Sequence, residues 1–478
     1  MAAFEAATLP HGSSFANPGR QTMTGNNGRV QLASMHLRAV LAACCCAILV
    51  PGCGGGSPES GIGDAIASIK AVDNHAHPLR AVNTGETDDE YDALNFRGPA
   101  LSEPEIPFRL RQPSEYIPAW RDLYGFVYTD KEHFPELLAA KQRARLERGD
   151  AYPAWILDKL GVDTMLANRV AMGRGLGAPR FRWVSYVDTF MFPLNNGAFK
   201  RQNTDRQGYF ASEELLMNRY LENLRMSALP ATLDEYLARV VSATLESQKL
   251  NGVVAVKFEA AYLRRLGFAD VPVAQARSVY ATYVETTTVE PPTSDYTALQ
   301  DYVFRYIVRE AGRLGLVVHI HVGFGIGSFF DVAGSNPLLL EPVFNDPSLR
   351  QTRFVLIHGG WPFANQIAPL LLKPNVYADF SSMAFVLYPR ELSGVIRGWL
   401  EVAPEKVMFG TDAIDVGKEA SGVGWEELCW IGTTTSREAL ALALTGMMTD
   451  GEISRDRAIG MARDVLRDNA IALYGLTR

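Results

Sequence analysis

Cysteine is scarce in the body of this 478-residue chain. Four of the five cysteines lie close together near the N-terminus, at positions 44, 45, 46 and 53, and Cys429 stands alone in the remainder. A lone cysteine cannot form an internal disulfide, so the fold of the body cannot depend on one. We therefore expect Cys429 to be a buried, small apolar side chain.

An excess of basic charge is also absent, since 46 lysines and arginines face 53 aspartates and glutamates, for a net charge of −7. We therefore expect no nucleic-acid partner. The 41 glycines and 26 prolines form no repeat, and 47% of the residues are hydrophobic, which excludes collagen-like, low-complexity and largely disordered chains. The length suits one large α/β barrel with insertions.

The N-terminal segment has no apolar run of membrane-spanning length. Its apolar run at 39–50 follows Arg38 and precedes the pair Gly52 and Cys53. This pattern resembles a bacterial lipoprotein signal with Met35 as the start and Cys53 as the lipidated residue. The alternatives are an ordinary cleaved signal and an apolar tail that is not a signal. Either kind of signal predicts export, to the bacterial cell envelope or beyond it.

From residue 68 onward, short apolar runs alternate with helical patterns, which is typical of a parallel sheet with crossover helices. We predict strands at 70–74, 163–168, 181–186, 252–258, 316–320, 354–357, 376–380 and 406–409. Eight such strands predict an α/β fold of the (β/α)8 TIM type, in which the carboxyl ends of the strands surround one mouth.

The chain is thus predicted to have three parts. Residues 1–34 are a non-structural extension, residues 35–67 are the signal and a flexible linker, and residues 68–478 are the barrel. Two connections, at about 80–160 and about 195–250, are far longer than an ordinary loop. We expect both to leave the barrel at its mouth and to form a helical cap over a small-molecule substrate.

Histidine or aspartate follows four of the predicted strands. His75 and His77 follow the first, His321 follows the fifth, His358 follows the sixth and Asp412 follows the eighth. One His-x-His pair alone is a weak motif, because two polar residues in a turn give the same pattern. Four such endings at one mouth indicate a shared site, because buried histidine and aspartate are costly without partners. Imidazole and carboxylate groups are typical metal ligands, so a metal site is predicted here.

These residues resemble the amidohydrolase superfamily, and within it the amidohydrolase-2 family. The resemblance spans about residues 68–476 and rests on His-x-His at 75–77, VKFEAAY at 256–262, HIHVGFG at 319–325, IHGGWPF at 357–363, NVYADFS at 375–381, MFGTDA at 408–413 and DNAIALYG at 468–475. Some of these segments are most similar to the branch whose members occur fused to glutamine-synthetase-like domains.

The resemblance implies that His75, His77, His321 and Asp412 are metal ligands. It implies two further roles: Asp412 as the catalytic group that moves the proton, and His358 either as a histidine that polarises the substrate or as a ligand of a second metal. Imidazole and carboxylate ligands suit zinc, with manganese or iron as alternatives, and one or two ions are both compatible with this set.

Lys257 lies within the fourth apolar run, where a free ammonium is costly. Resemblance to two-metal members of the superfamily implies a carboxylated lysine that bridges two ions. The alternative is a lysine paired with Asp412 or with a carboxylate of the substrate. Glu259, two residues further on, would form a salt bridge with the uncarboxylated lysine.

The predicted activity is hydrolysis of an amide or other C–N bond of a small molecule by attack of a metal-bound water. The candidate substrate contacts are Tyr262, Arg265 (or its neighbour Arg264), Trp361, Arg80 and His319, although His319 also fits a role as a hydrogen-bonding partner behind the ligands. An arginine would suit a carboxylate on the substrate. Non-oxidative decarboxylation with the same ligands and a non-catalytic binding lipoprotein are the alternatives. The family also leads us to expect a homo-oligomer.

Overall fold

The structure, a computed structural model, describes residues 58–80, 82, 86–88, 90, 106–130, 132–286, 288–415 and 422–476. The chain divides into two units, Met1–Gly54 and Gly55–Arg478, and the first of these lies outside the described residues. The predicted extension 1–34, the signal and Cys53 therefore lie outside them as well.

Eight parallel strands form one sheet and pair in the order in which they follow along the chain. They are β1 (Ala71–Ala76), β2 (Val162–Asn168), β3 (Phe181–Tyr186), β4 (Val253–Phe258), β5 (Val317–His321), β6 (Arg353–Ile357), β7 (Val376–Asp379) and β8 (Val407–Met408). All eight predicted runs are strands, and the predicted barrel class is confirmed.

Hydrogen bonds from the segment after β8 close the barrel against β1. The amide N of Asp412 donates to the carbonyl O of His75 at 2.7 Å, and the amide N of His77 donates to the carbonyl O of Ala413 at 2.7 Å. Because β8 itself has only two residues, the segment that follows it forms the hydrogen bonds that close the barrel. Two of the predicted metal-ligand segments are therefore bonded to each other through their main chains.

Helices surround the barrel on the outside and fill its long connections. They are α1 (Pro58–Ser68), α2 (Ile117–Tyr124), α3 (Phe134–Arg148), α4 (Tyr152–Leu160), α5 (Gly197–Gln202), α6 (Gln207–Asn223), α7 (Leu233–Tyr236), α8 (Ala243–Leu250), α9 (Ala260–Leu263), α10 (Val273–Tyr283), α11 (Thr293–Arg313), α12 (Glu341–Phe344), α13 (Ala364–Leu371), α14 (Met383–Val386), α15 (Pro389–Leu400), α16 (Trp425–Thr449), α17 (Arg455–Arg463) and α18 (Asn469–Tyr474). Short π-helical segments join α7 to α8 and α17 to α18. Within the described residues, no helix combines the length and the apolar character that a membrane crossing requires.

The end of the predicted flexible linker is helical instead. Residues 58–68 form α1, and Ile62 and Ile66 are each only 1% exposed. Their spacing of four residues places them on one face of the helix, which packs against α16 and α17. Burial of this apolar face explains why the segment is ordered although Gly and Ser precede it.

The C-terminal helix α18 covers the end of the barrel opposite the mouth, which we call the floor. Leu473 packs in one cluster with interior strand residues such as Val317, the first residue of β5. Asn469 Nδ2 donates to the carbonyl O of Val407, the first residue of β8, at 2.9 Å. Arg353, the first residue of β6, donates to the carbonyl O of Leu473. The start of each of these strands is therefore tied to α18.

The long connection between β1 and β2 carries α2, α3 and α4, and a buried ion pair holds it on α16. Lys141 Nζ lies 2.8 Å from each carboxylate oxygen of Glu427, and both side chains are nearly inaccessible to solvent. Arg145 and the hydroxyl of Tyr152 bind the adjacent Glu426 at 3.0 and 2.8 Å. Burial raises the pKa of Glu427, and the nearby Lys141 ammonium opposes that rise.

Replacing Lys141 with methionine should destabilise the fold by about 3–5 kcal/mol, because the Glu427 carboxylate would remain buried without its cation. Urea denaturation followed by circular dichroism measures this change. The matched control is Lys249→Met, since Lys249 is exposed on α8. Equal stability of the two variants would show that the ion pair does not hold this connection in place.

Candidate metal centre

Three side chains meet at the mouth of the barrel, where β1 and β8 end. His75 Nε2 lies 3.1 Å from Asp412 Oδ1, His77 Nε2 lies 3.3 Å from the same oxygen, and the two imidazole nitrogens are 3.3 Å apart. One donor atom from each residue falls within 4.8 Å of the other two. Both histidines are buried, whereas the Asp412 side chain is 13% exposed to solvent.

The backbone around the site adopts left-handed conformations that most residues avoid. His358, Ser382 and Asp412 have φ values of 69°, 61° and 57°. Among the described residues only one other non-glycine, Arg225, has a positive φ. Such strain persists only where the surrounding structure enforces it, and it is common at functional sites. These conformations follow the ends of β6, β7 and β8 and set the direction of the three side chains.

Burial keeps the imidazoles of His75, His321 and His358 neutral. It is the largest cause that lowers the pKa of His321 to about 3, and the Lys257 ammonium adds to it. Burial likewise takes the pKa of His75 and of His358 well below the usual range. A neutral imidazole has the free lone pair that a metal ligand needs.

The carboxyl group of Asp412 is ionised, in contrast to the neutral imidazoles described above. Burial alone would raise its pKa, but the interaction with His358 and the hydrogen bonds from His75 and His77 outweigh that effect and hold the pKa well below the usual range. One carboxylate beside neutral imidazoles is a donor set that suits a divalent cation such as zinc. The residues that the structure places here therefore fit the metal that the sequence predicts.

His321 and His358 belong to the same cluster but not to the group of three donors. The two rings have centroids 4.4 Å apart, and the ring of His358 lies 5.0 Å from that of His75. His321 Nε2 is hydrogen-bonded to the carbonyl O of Phe324. The role of His321 as a third imidazole ligand therefore stays a prediction, since that nitrogen would have to leave its main-chain partner.

The side chain of Lys257 points into the cluster. Its Nζ lies 3.3 Å from His75 Nε2 and 3.3 Å from Glu259 Oε1, so the predicted pairing with Glu259 is present. The amide N of Glu259 in turn donates to Asp188 Oδ2 at 2.7 Å. The bridging role of a carboxylated Lys257 stays a prediction.

The predicted substrate contacts are three residues with ring side chains, described first, and three arginines. Tyr262 lies at the cluster, with its ring 4.7 Å from that of His321, and His319 lies beneath it, 6.3 Å from the ring of His75. Trp361 is half-buried, and its ring lies 6.3 Å from that of Phe324.

The candidate arginines have carboxylate partners within the protein. Arg265 pairs with Asp331 at 2.8 Å and Arg80 with Asp88 at 3.2 Å. Arg264 binds Asp301 at 2.6 Å and is almost fully buried. Each of these guanidinium groups would have to share its charge in order to bind a carboxylate of the substrate.

Several residues of the site were not singled out in the sequence. Asn168 Nδ2 contacts His75 Nδ1 at 2.8 Å, and the Tyr186 hydroxyl contacts His77 Nδ1 at 3.1 Å. Asp379 accepts from the amide N of His358 at 3.0 Å. All three are the last residues of their strands, so the rule that identified His321 would have found them too.

The comparisons with known proteins agree with this fold. The family described as amidohydrolase matches residues 228–476, just over half of the chain. Among curated proteins, the chain is similar to Protein fluG of Emericella nidulans, with 24% identity over 258 residues. That match covers 51% of this chain but only 28% of the relative's length.

Among solved structures, the chain is similar to a protein of Lactobacillus casei described as a metal-dependent hydrolase (TM-score 0.60, 15% identity, 87% of this chain and 97% of that one). It is also similar to uronate isomerase of Thermotoga maritima (TM-score 0.57, 15% identity, 87% and 97%) and to glucuronate isomerase of Caulobacter crescentus (TM-score 0.59, 13% identity, 88% and 94%). At these identities the likeness establishes the fold alone.

Replacing Asp412 with asparagine should leave the fold intact, because asparagine also tolerates the left-handed conformation of this position. The variant should bind Zn²⁺ at least about 100-fold more weakly than the unchanged protein, since it loses the negative ligand itself and not merely a partner of a ligand. Competition with a coloured chelator measures the affinity, and near-ultraviolet circular dichroism reports the fold. Asp456→Asn, at an exposed aspartate of α17, is the matched control. Unchanged zinc affinity in Asp412→Asn would contradict the assignment.

Proposed function

The chain belongs to the amidohydrolase family, and we propose that it is a metal-dependent hydrolase that cleaves an amide or other C–N bond of a small molecule. The observation that carries this proposal is the meeting of His75 Nε2, His77 Nε2 and Asp412 Oδ1 within 4.8 Å at the mouth of a (β/α)8 barrel. Catalytic sites of such barrels lie at this end. These three residues would hold the cation, with His321 as the further candidate ligand.

The chemistry that a divalent cation supplies in such a site is Lewis acidity, which polarises a carbonyl group and makes water more acidic. The chain itself supplies the groups that accept and move protons. Asp412 is ionised, and its Oδ1 atom faces the two imidazoles. We assign Asp412 to receive the proton that the nucleophile gives up and to pass it to the leaving group.

The hydrogen-bonding partners of His358 Nδ1 fix the tautomer of its ring. Ser381 Oγ donates its only proton to Asp379 Oδ1 at 2.6 Å, and Ser382 Oγ donates its proton to Asp412 Oδ2. Both hydroxyl oxygens also lie against His358 Nδ1, at 3.0 and 2.9 Å, so that nitrogen must carry the proton and donate it.

The Nε2 atom of neutral His358 is then an acceptor. Polarising a carbonyl oxygen, the role that the family resemblance implies, would require an N–H donor at that position. We therefore assign His358 as a proton acceptor or as an additional metal ligand instead. The neutral state of its ring supports this assignment, because burial takes its pKa well below the usual range.

The location of the protein is a separate proposal. We propose that the chain is exported and anchored by a lipid at Cys53, on the strength of the apolar run and the Gly–Cys pair alone. Labelling of cells with a tagged fatty acid should mark the wild-type protein and not the Cys53→Ser variant. Equal labelling of both would contradict the anchor.

The proposed function predicts that chelator-treated protein has no activity and that zinc, manganese or iron restores it. The assay uses a panel of small amides with and without a carboxylate group, and mass spectrometry identifies the products. The expected products are an amine or ammonia together with the matching acid.

Other products would contradict hydrolysis and indicate which alternative is correct. Release of carbon dioxide from carboxylate-bearing compounds would identify a decarboxylase. A product of unchanged mass would identify an isomerase. Ligand binding without any product would identify a binding protein. Asp412→Asn is the negative control for the reconstituted activity.

A further inference from the structure

One tyrosine of the C-terminal helix reaches the polar layer beneath the metal centre from the floor of the barrel. The Tyr474 hydroxyl lies 2.6 Å from His319 Nε2 and donates to Asn74 Oδ1. His319 belongs to β5 and Asn74 to β1. In a barrel with the strand order β1 to β8, these two strands lie opposite each other. A single phenolic oxygen therefore bridges the barrel across its axis.

The direction of each bond follows from the number of protons available. An amide oxygen can only accept, so the one phenolic proton goes to Asn74. The phenolic oxygen must then accept from His319, which places the proton of that imidazole on Nε2. Burial raises the pKa of Tyr474 well above its usual value, and burial followed by the Lys257 ammonium lowers the pKa of His319 to about 3. Both groups are therefore neutral, and the tautomer of His319 is fixed.

Both partners of Tyr474 lie next to residues of the candidate metal centre. Asn74 precedes His75 directly, and its Nδ2 atom donates to Asp379 Oδ2 at 2.6 Å. The other oxygen of Asp379 accepts from the amide N of His358 at 3.0 Å. His319 lies two residues before His321 on the same strand. The phenol is thus connected to the strand ends that carry these histidines.

We propose that Tyr474 is a positioning residue of the metal centre. Its hydroxyl fixes β1 and β5 relative to each other, and so fixes His75 and His77 relative to His321. This inference rests on the proposed function, because it takes a cation to be held at the mouth. Without the hydroxyl, two buried polar atoms, His319 Nε2 and Asn74 Oδ1, lose their partner and the strands can relax.

The test compares Co²⁺ binding, with the metal alone as the probe, in full-length wild-type, Tyr474→Phe, Tyr377→Phe and Leu473→Ala proteins. Groups that hold metal ligands in place typically contribute 10–100-fold to metal affinity, and we expect Tyr474→Phe to bind Co²⁺ about tenfold more weakly. Its visible absorption spectrum should change as well, because the bands of Co²⁺ depend on the arrangement of its ligands.

The two other variants separate the hydroxyl from the packing of the floor. Tyr377 is half-buried and packs against the same apolar cluster, and among the described residues its hydroxyl makes no hydrogen bond. Tyr377→Phe should therefore match the wild type. Leu473→Ala should lower the melting temperature while Co²⁺ affinity and spectrum stay unchanged.

Wild-type affinity and spectrum in Tyr474→Phe would overturn this inference and leave the proposed function intact. Equal weakening in Leu473→Ala would also overturn it, because loosened packing would then explain the effect. A wild-type protein that binds no Co²⁺ would overturn the proposed function and this inference together. Histidine nitrogen NMR of the metal-free wild type gives a test without any variant, since a proton on Nδ1 of His319 would contradict the bridge.

Discussion

The closure of the barrel is the constraint on which the rest of the structure depends. β8 has only two residues, so the chain that follows it completes the barrel by bonding to β1 through Asp412 and Ala413. The main-chain bonds that close the fold are thereby the bonds that place the Asp412 carboxylate against His75 and His77. The positive φ of Asp412 directs its side chain toward them. Closure of the barrel and placement of these three side chains therefore depend on the same hydrogen bonds.

The charges around this edge complement one another. The neutral imidazoles of His75 and His358 lie beside the ionised carboxylate of Asp412. The buried amine of Lys257 lies between His75 and Glu259. Isolated charges at such depth would be costly, and here each has a partner of opposite sign or a hydrogen-bonding partner within reach. The imidazole and carboxylate donors would bind a divalent cation, whose positive charge would balance that of Asp412.

Much of this arrangement could be predicted from the sequence, because it follows the strand ends. The eight apolar runs gave the strands, and the polar residues that end them gave His75, His77, His321, His358 and Asp412. Asn168, Tyr186 and Asp379 end strands too and could have been found by the same rule. The amphipathic spacing of Ile62 and Ile66 could likewise have indicated a helix where a flexible linker was predicted.

The remainder depends on contacts between distant segments, which no local pattern records. Arg265 looked available for a substrate because its partner, Asp331, lies on another loop. The bond between Tyr474 and His319 joins the floor helix to a central strand. The tautomer of His358 became evident only when Ser381 and Ser382 were placed beside it with their protons already donated.

Crystals of the zinc-loaded protein, with diffraction recorded on both sides of the zinc absorption edge, test the central claim most directly. We expect an anomalous peak at the barrel mouth in contact with His75 Nε2, His77 Nε2 and a carboxylate oxygen of Asp412. The claim would be contradicted by the absence of such a peak at the mouth, or by a peak there that Asp412 does not contact.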